Sequence, residues 1–278
     1  MRWTWSSELR RGVDCAVRRA TRGVGAPMRQ VEIRDSLASF SLGSLPVLKH
    51  LSLYGCKNLK SISTLEEAAA SQSLMFLESL TIEECPELKS ISILGLSIAQ
   101  EKCDKINSLP EPINNLSGLQ ELLIHELPNL QSIAEEGLPM NLRTLDVGNT
   151  QGVYSNTDIT KWGLEQLTSL SELHIKGEYM VKKLMEMEVL LPNSLEALTT
   201  HSASEIQHMH GKWLQHLTSL KRLHFMNCHN LKSLPEEGLP SSISYLTMID
   251  CPKLKESCQR NRGKEWPKIA HISWIVYI

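Results

Sequence analysis

Ten histidines and seven cysteines are the residues of this chain that could serve as metal ligands or nucleophiles. The densest group is His208-Met-His210 with His201. Zinc takes four Cys or His ligands at recognisable spacing, and no C-x-x-C or H-x-x-x-H accompanies these three, so they read as part of a polar insert. Cys228 and His229 are adjacent, but neighbours on an extended strand point to opposite sides and no third partner is evident. No G-x-x-x-x-G-K-[ST] or G-x-G-x-x-G is present to cradle a phosphate. No G-x-S-x-G elbow is present to expose a serine. The expectation is a non-enzymatic chain with no catalytic residue, no cofactor and no metal site.

What the cysteines share is their place in a repeat. Cys56, Cys85, Cys228 and Cys251 each stand three residues after the second strand leucine or its substitute (Leu53, Ile82, Phe225 and Met248), and Cys103 stands five after Ile98. The clearest copies are Leu77-Glu-Ser-Leu80-Thr-Ile82-Glu-Glu-Cys85 and Leu220-Lys-Arg-Leu223-His-Phe225-Met-Asn-Cys228. Nine central leucines, at 51, 80, 96, 122, 145, 173, 198, 223 and 246, follow one another at a mean step of about 24 residues. That period belongs to leucine-rich repeats, in which each unit is one short strand and a return segment. Thiols spaced by whole repeats fall on one edge of the coil. There a small side chain can donate to a carbonyl of the adjacent turn as a buried free thiol.

The predicted fold is α/β: a leucine-rich-repeat solenoid, or horseshoe, with a curved parallel sheet on its concave face and irregular or short helical returns on its convex face. Its core is one repeated aliphatic residue, 43 leucines against 3 phenylalanines. Residues 1–40 are arginine-rich and set apart as an N-terminal extension, within which Val31-Glu-Ile33 could be the strand of a degenerate first repeat. Residues 41–256 hold about nine repeats. Residues 257–278, ending Trp266-Pro-Lys-Ile269 through Ile272-Ser-Trp274-Ile-Val-Tyr-Ile278, read as an apolar cap whose two tryptophans and isoleucines cover the last repeat. Inserts with helical spacing are predicted at residues 64–72 and 178–190, the second placing Met180, Leu184 and Met187, with Leu191 just beyond it, at helical spacing.

A formal net charge of −2 argues against a dedicated nucleic-acid binder, and no run approaches the roughly 18 apolar residues that span a bilayer. The N-terminus lacks a secretory signal, so the chain is expected to be intracellular. Period-two alternation turns the framework leucines inward and the x residues outward. On the concave face this exposes Tyr54, Glu83, His125, Asp146, His174, Lys176, His224 and Met226, the candidate partner-binding residues. Mixed charge, histidine and a few apolar side chains suit protein recognition.

Gly55-Cys56-Lys-Asn-Leu59-Lys-Ser, Glu84-Cys85-Pro-Glu-Leu88-Lys-Ser and Asn227-Cys228-His-Asn-Leu231-Lys-Ser-Leu-Pro235 resemble the C-terminal repeats of plant intracellular nucleotide-binding leucine-rich-repeat disease-resistance proteins. The ending, Asp250-Cys251-Pro-Lys-Leu254 through Gly263-Lys-Glu-Trp266-Pro-Lys-Ile269-Ala-His271-Ile, is similar to that of coiled-coil-type members. The resemblance covers about residues 45–278 and excludes the nucleotide-binding switch domain, whose Walker lysine has no counterpart here. It implies a recognition module for a protein partner: a pathogen effector, a host target or the switch domain itself. A substrate adaptor of the F-box repeat type would need an apolar helical segment that residues 1–40 do not show, and a truncated remnant is the third reading.

Overall fold

The computed structural model describes residues 17–19, 30–34, 39–41, 48–63, 77–88, 90–92, 113–126, 137–148, 162–186, 191–209 and 213–278. These fall into two compact units, one ending at Pro139 and the other beginning at Met140. Leu96, Cys103, Met187, His210 and the insert expected at 64–72 lie outside the described residues.

In the first unit, β1 (Val17–Arg19) pairs antiparallel with β2 (Gln30–Arg34). The parallel ladder then runs from β2 through β4 (His50–Tyr54) and β6 (Ser79–Glu83) to β8 (Glu121–His125). The strand suggested at Val31-Glu-Ile33 is therefore the first member of the ladder, within residues 1–40 and ahead of the expected start at 41. Val31 and Ile33 are both buried. The returns expected to be irregular or helical include a second parallel sheet, β3 (Ser39–Ser41), β5 (Ser61–Ser63) and β7 (Ser90–Ser92). Ser-Ile-Ser in β5 and β7 follows the Leu-Lys motif directly, and a β-branched residue between two small ones favours an extended turn. In the second unit the equivalent segment reads Ser233-Leu-Pro235, where proline removes a donor and only the bridge between Ser233 and His208 forms.

The second unit is a parallel ladder of β9 (Thr144–Gly148), β10 (Glu172–Lys176), β11 (Ala197–His201), β12 (Arg222–Met226), β13 (Tyr245–Ile249) and β14 (Trp274–Tyr277). Register stacks like on like. Leu145, Leu173, Leu198, Leu223, Leu246 and Ile275 form one row, and Val147, Ile175, Thr200, Phe225, Met248 and Tyr277 the other. All but the two β14 residues are buried. At roughly 25 cal/mol per Å² of apolar surface, these rows supply most of what holds adjacent turns together. Helix α1 (Glu178–Glu186) is the second expected insert, and its Met180, Val181 and Leu184 are buried.

Strands β4, β6, β8, β10, β11, β12 and β13 are each followed by one residue in the left-handed region. Gly55 and Gly177 occupy this place, and so do Glu84, Glu126, Ser202, Asn227 and Asp250, at φ 51–60°. Its N–H reaches the carbonyl of the next strand's last residue: Gly55 to Glu83 at 3.0 Å, Gly177 to His201 at 2.8 Å, and Asn227 to Ile249 at 2.9 Å. The reversal steers the chain out of the sheet once per repeat. Non-glycine residues there cost on the order of 1 kcal/mol each, which the ladder offsets.

The cysteines follow immediately. Cys56, Cys85, Cys228, Cys251 and Cys258 are buried free thiols. Cys56 donates to the Ile33 carbonyl and Cys251 to the Phe225 carbonyl, each at 3.5 Å and each on the preceding turn. Cys85 and Cys228 instead bond within their own turns, to Glu83 and Met226. A thiol–thiol hydrogen bond with the neighbouring turn and burial push Cys85 and Cys228 well above the ordinary thiol range. Burial, reinforced by the Glu265 carboxylate, pushes Cys258 up to about 12. All three stay protonated and inert at neutral pH.

The end of the second unit is closed by α2 (Pro252–Ser257), α3 (Trp266–Ile269) and β14. The cap thus begins before residue 257. It buries Leu254, Cys258, Ile269 and Ile272, whereas Trp266 is half-buried and Trp274 is 69% exposed. The expectation that both tryptophans cover the core fails because Trp274 pairs with Tyr245, on the outward parity of the ladder. The centre of the cap is polar. Glu265, 2% exposed, accepts the Leu234 N–H at 2.9 Å and the Lys268 ammonium at 2.7 Å, and Lys268 also donates to the Leu234 carbonyl.

Candidate functional site

The outward face of each ladder carries strand positions one, three and five. In the first unit the fifth-position row reads Arg34, Tyr54, Glu83, His125. Three of the expected site residues, Tyr54, Glu83 and His125, therefore stand side by side. The Arg34 guanidinium lies 5.3 Å from the Tyr54 ring centroid and 2.5 Å from the Glu32 carboxylate. The Tyr54 ring thus lies beneath a paired cation, a contact worth about 0.5–1 kcal/mol at an exposed site.

The other five fall in the second unit, Asp146, His174 and His224 in the third-position row and Lys176 and Met226 in the fifth. The third-position row reads Asp146, His174, Thr199, His224, Thr247, Val276. Thr199 and Thr247 are buried on this outward face, because longer neighbours close over them. His174 and His224 beside them are half-buried. Lys176 lies across Gly148, where an added Cβ would come within 2.7 Å of the lysine Cβ.

Sequence reasoning missed the first-position row: Thr144, Glu172, Ala197, Arg222, Tyr245 and Trp274. These residues precede the central leucine and share the parity of the x residues, and counting back by two from each would have found them. They organise the patch. Arg222 reaches over small Ala197 to the Glu172 carboxylate at 2.8 Å, and Glu172 also stands 3.8 Å from the His174 ring. The His224 and Tyr245 rings are tilted at 53° with centroids 5.8 Å apart. Burial lowers the His224 pKa, with Arg222 and His174 adding to the effect and Glu172 opposing it. Burial and then Lys176 lower that of His201, against Asp146. The two rings are therefore mostly neutral at pH 7 and can donate and accept hydrogen bonds.

This is a face of fixed aromatic, cationic and imidazole groups. Among the described residues no group of three or more His, Cys, Asp or Glu could hold a metal ion. Of the histidine group read as part of a polar insert, His201 bonds Ser202 and Asn227, and His208 bonds Ser233. No helix among the described residues is long and apolar enough to cross a membrane.

No family model matches the chain. A putative disease resistance protein of Arabidopsis thaliana is 29% identical over 229 residues, which is 80% of this chain and 16% of that protein. Among solved structures, the leucine-rich repeat domain of the type III effector XopL is 19% identical, with 77% of each chain covered and a TM-score of 0.41. A TLR13–ssRNA complex is 14% identical, covering 74% of this chain and 43% of that one at a TM-score of 0.27. The relative bears out the resemblance drawn from the Cys-x-x-Leu-Lys-Ser copies: the chain, a stack of leucine-rich repeats, is similar to a putative disease resistance protein and spans about a sixth of that relative's length.

Proposed function

We propose that this chain is the recognition module of a disease-resistance protein of plant innate immunity, working inside the cell without catalysis and binding a pathogen effector or a host protein through its outward sheet face. The observation that carries the reading is the likeness to a putative disease resistance protein along 80% of the chain. The face supports it in kind. Arg222, Tyr245, His224 and Met226 are of the residue types that supply the energy of protein interfaces, and Arg222 and the His224–Tyr245 pair are already held in place. Preorganisation lowers the cost of ordering side chains on binding, about 0.5–1.5 kcal/mol for each one immobilised. A nucleotide-binding switch attached to such a module would read the occupancy of this face.

The test is a direct binding screen of the full chain against a panel of effector and host proteins. The comparison is a variant carrying Tyr54→Ala, His125→Ala, His174→Ala and His224→Ala. A partner bound by the native chain and lost from the folded variant supports the reading. Partners held equally by both would remove the outward face from recognition.

A further inference from the structure

Strand β14 closes the second unit but leaves a sheet edge open. Trp274 donates to the Ser244 carbonyl and Ile278 to the Met248 carbonyl. In a parallel ladder, alternate residues turn their N–H and C=O to alternate sides, so Ile275 and Tyr277 direct theirs away from β13. Among the described residues no other strand lies against this edge. The outward side chains beside it are apolar. Trp274 and Ile278 are each 69% exposed and, among the described residues, are two of the three exposed large hydrophobic ones, with Val276 half-buried between them. Natural edges are blunted by lysine, proline, a bulge or a covering segment, and β14 carries none of the first three.

The charge beside the edge is one-sided. Segment 252–271 holds six lysines and arginines against two glutamates, in a chain whose net charge is −2. One of those glutamates, Glu265, is buried against Lys268. Arg260, Arg262 and Lys264 are exposed, and none is paired with a carboxylate among the described residues. They sit on one compact turn, closed by Glu265 N–H to Ser257 at 2.8 Å and Gly263 N–H to Gln259 at 2.8 Å. That turn is fastened to β14, because the Tyr277 hydroxyl donates to the Cys258 carbonyl at 2.8 Å. Three unpaired cations thus stand beside a free strand edge with an aromatic and aliphatic side face.

We infer that the β14 edge docks an extended acidic peptide segment of a protein partner. The segment adds as a further strand on the Ile275 and Tyr277 backbone, lays alternate apolar residues against Trp274, Val276 and Ile278, and sets its carboxylates on Arg260, Arg262 and Lys264. Main-chain bonds supply affinity in this mode and the side chains supply selection. The site adjoins the histidine patch, whose first- and third-position rows end in Trp274 and Val276, but its backbone edge is distinct and the inference does not depend on the function proposed above.

The experiment measures binding of short synthetic peptides to the full chain by calorimetry or fluorescence anisotropy. The peptides alternate valine with glutamate, valine with lysine, or valine with glutamate carrying backbone N-methyl groups. The glutamate peptide is expected to bind at least about tenfold more tightly than the other two and to weaken as salt is raised. Arg260→Glu with Arg262→Glu and Lys264→Glu should reverse the preference between glutamate and lysine. Trp274→Ser and Ile275→Pro should each weaken binding about tenfold, while His174→Ala with His224→Ala leaves it unchanged. The N-methyl peptide tests the edge without altering the protein, should Ile275→Pro fail to fold. Equal binding of glutamate and lysine peptides, tolerance of N-methylation, no binding of the glutamate peptide, or occupation of the edge by a second copy in sedimentation would each overturn the inference.

Discussion

Glu265 offers a sharp test of how the cap is held. Replacing it with alanine leaves the Leu234 N–H buried without its acceptor and the Lys268 ammonium with only the Leu234 carbonyl. An orphaned buried donor costs about 1–3 kcal/mol, and breaking a buried ion pair by removing one partner about 3–5 kcal/mol. The two overlap, and Lys268 keeps some access to water, with 23% of its side chain exposed. We therefore expect a loss of about 3 kcal/mol for Glu265→Ala, and less for Glu265→Gln, which keeps an acceptor for Leu234. A repeat array frays from its ends, so the measurement should be local: amide hydrogen exchange of β13 and β14 alongside urea unfolding. Exchange should quicken there and stay unchanged in β9 and β10. Lys268→Met closes the cycle. Once Glu265 is gone, losing the unpaired ammonium should cost about 1–3 kcal/mol less than it does in the native chain. Costs that simply add, or a Glu265→Ala loss under about 1 kcal/mol, would show that the carboxylate is incidental and that Ile269 and Ile272 alone hold the cap.

Thr200 is fully buried in a row otherwise made of Val147, Ile175, Phe225, Met248 and Tyr277, and its hydroxyl has no hydrogen-bond partner among the described residues. Thr200→Val should raise the unfolding free energy by about 1–2 kcal/mol in urea titration, and a loss would mean that the hydroxyl is satisfied in solution. A Cβ at Gly263 would fall 2.1 Å from the Ser257 carbonyl oxygen and 2.6 Å from the Gln259 nitrogen, both backbone atoms. Gly263→Ala should therefore cost about 1–3 kcal/mol and speed exchange in segment 252–271. His201 and His224 have folded pKa values below their ordinary 6.5, so the unfolded state binds protons more readily. Their contribution to stability is complete above pH 6.5 and is lost as the pH falls through the lowered folded values. Urea midpoints followed from pH 7.5 downward should show a decline that His201→Gln with His224→Gln flattens, and an unchanged slope in the double variant would refute the assignment.

The repeat was legible because it is written in a single residue type. Leucine at alternating positions, returning about every 24 residues, settles strand parity whatever the details of the returns. Parity alone placed Tyr54, Glu83, His125, Asp146, His174, Lys176, His224 and Met226 on the outward face. Other features left no such trace. The left-handed residue that follows seven of the described strands is glycine at 55 and 177 but glutamate, serine, asparagine or aspartate elsewhere, so no single residue type marks it in the sequence. Val31 and Ile33 lack the leucine signature, so the sequence could offer them only as a degenerate repeat, and their pairing with Leu51 and Leu53 places them in the ladder. The Ser-Ile-Ser segments are too short to predict alone and become strands by stacking on one another.

The sequence by itself determined the class of object: an array of strands with leucines inside, thiols at the turns and a variable polar face outside. Those properties follow from side-chain alternation, which is local. The tertiary structure alone decided which outward residues act together. Arg222 and Glu172 are 50 positions apart and meet because Ala197 between them is too small to intervene. Likewise, only the folded cap shows that Glu265 is buried against Lys268 and Leu234 while Trp274 is left outside. Such contacts depend on the volume of the residue on the strand between and on which edge the last strand takes, and neither is recorded in the period of the repeat.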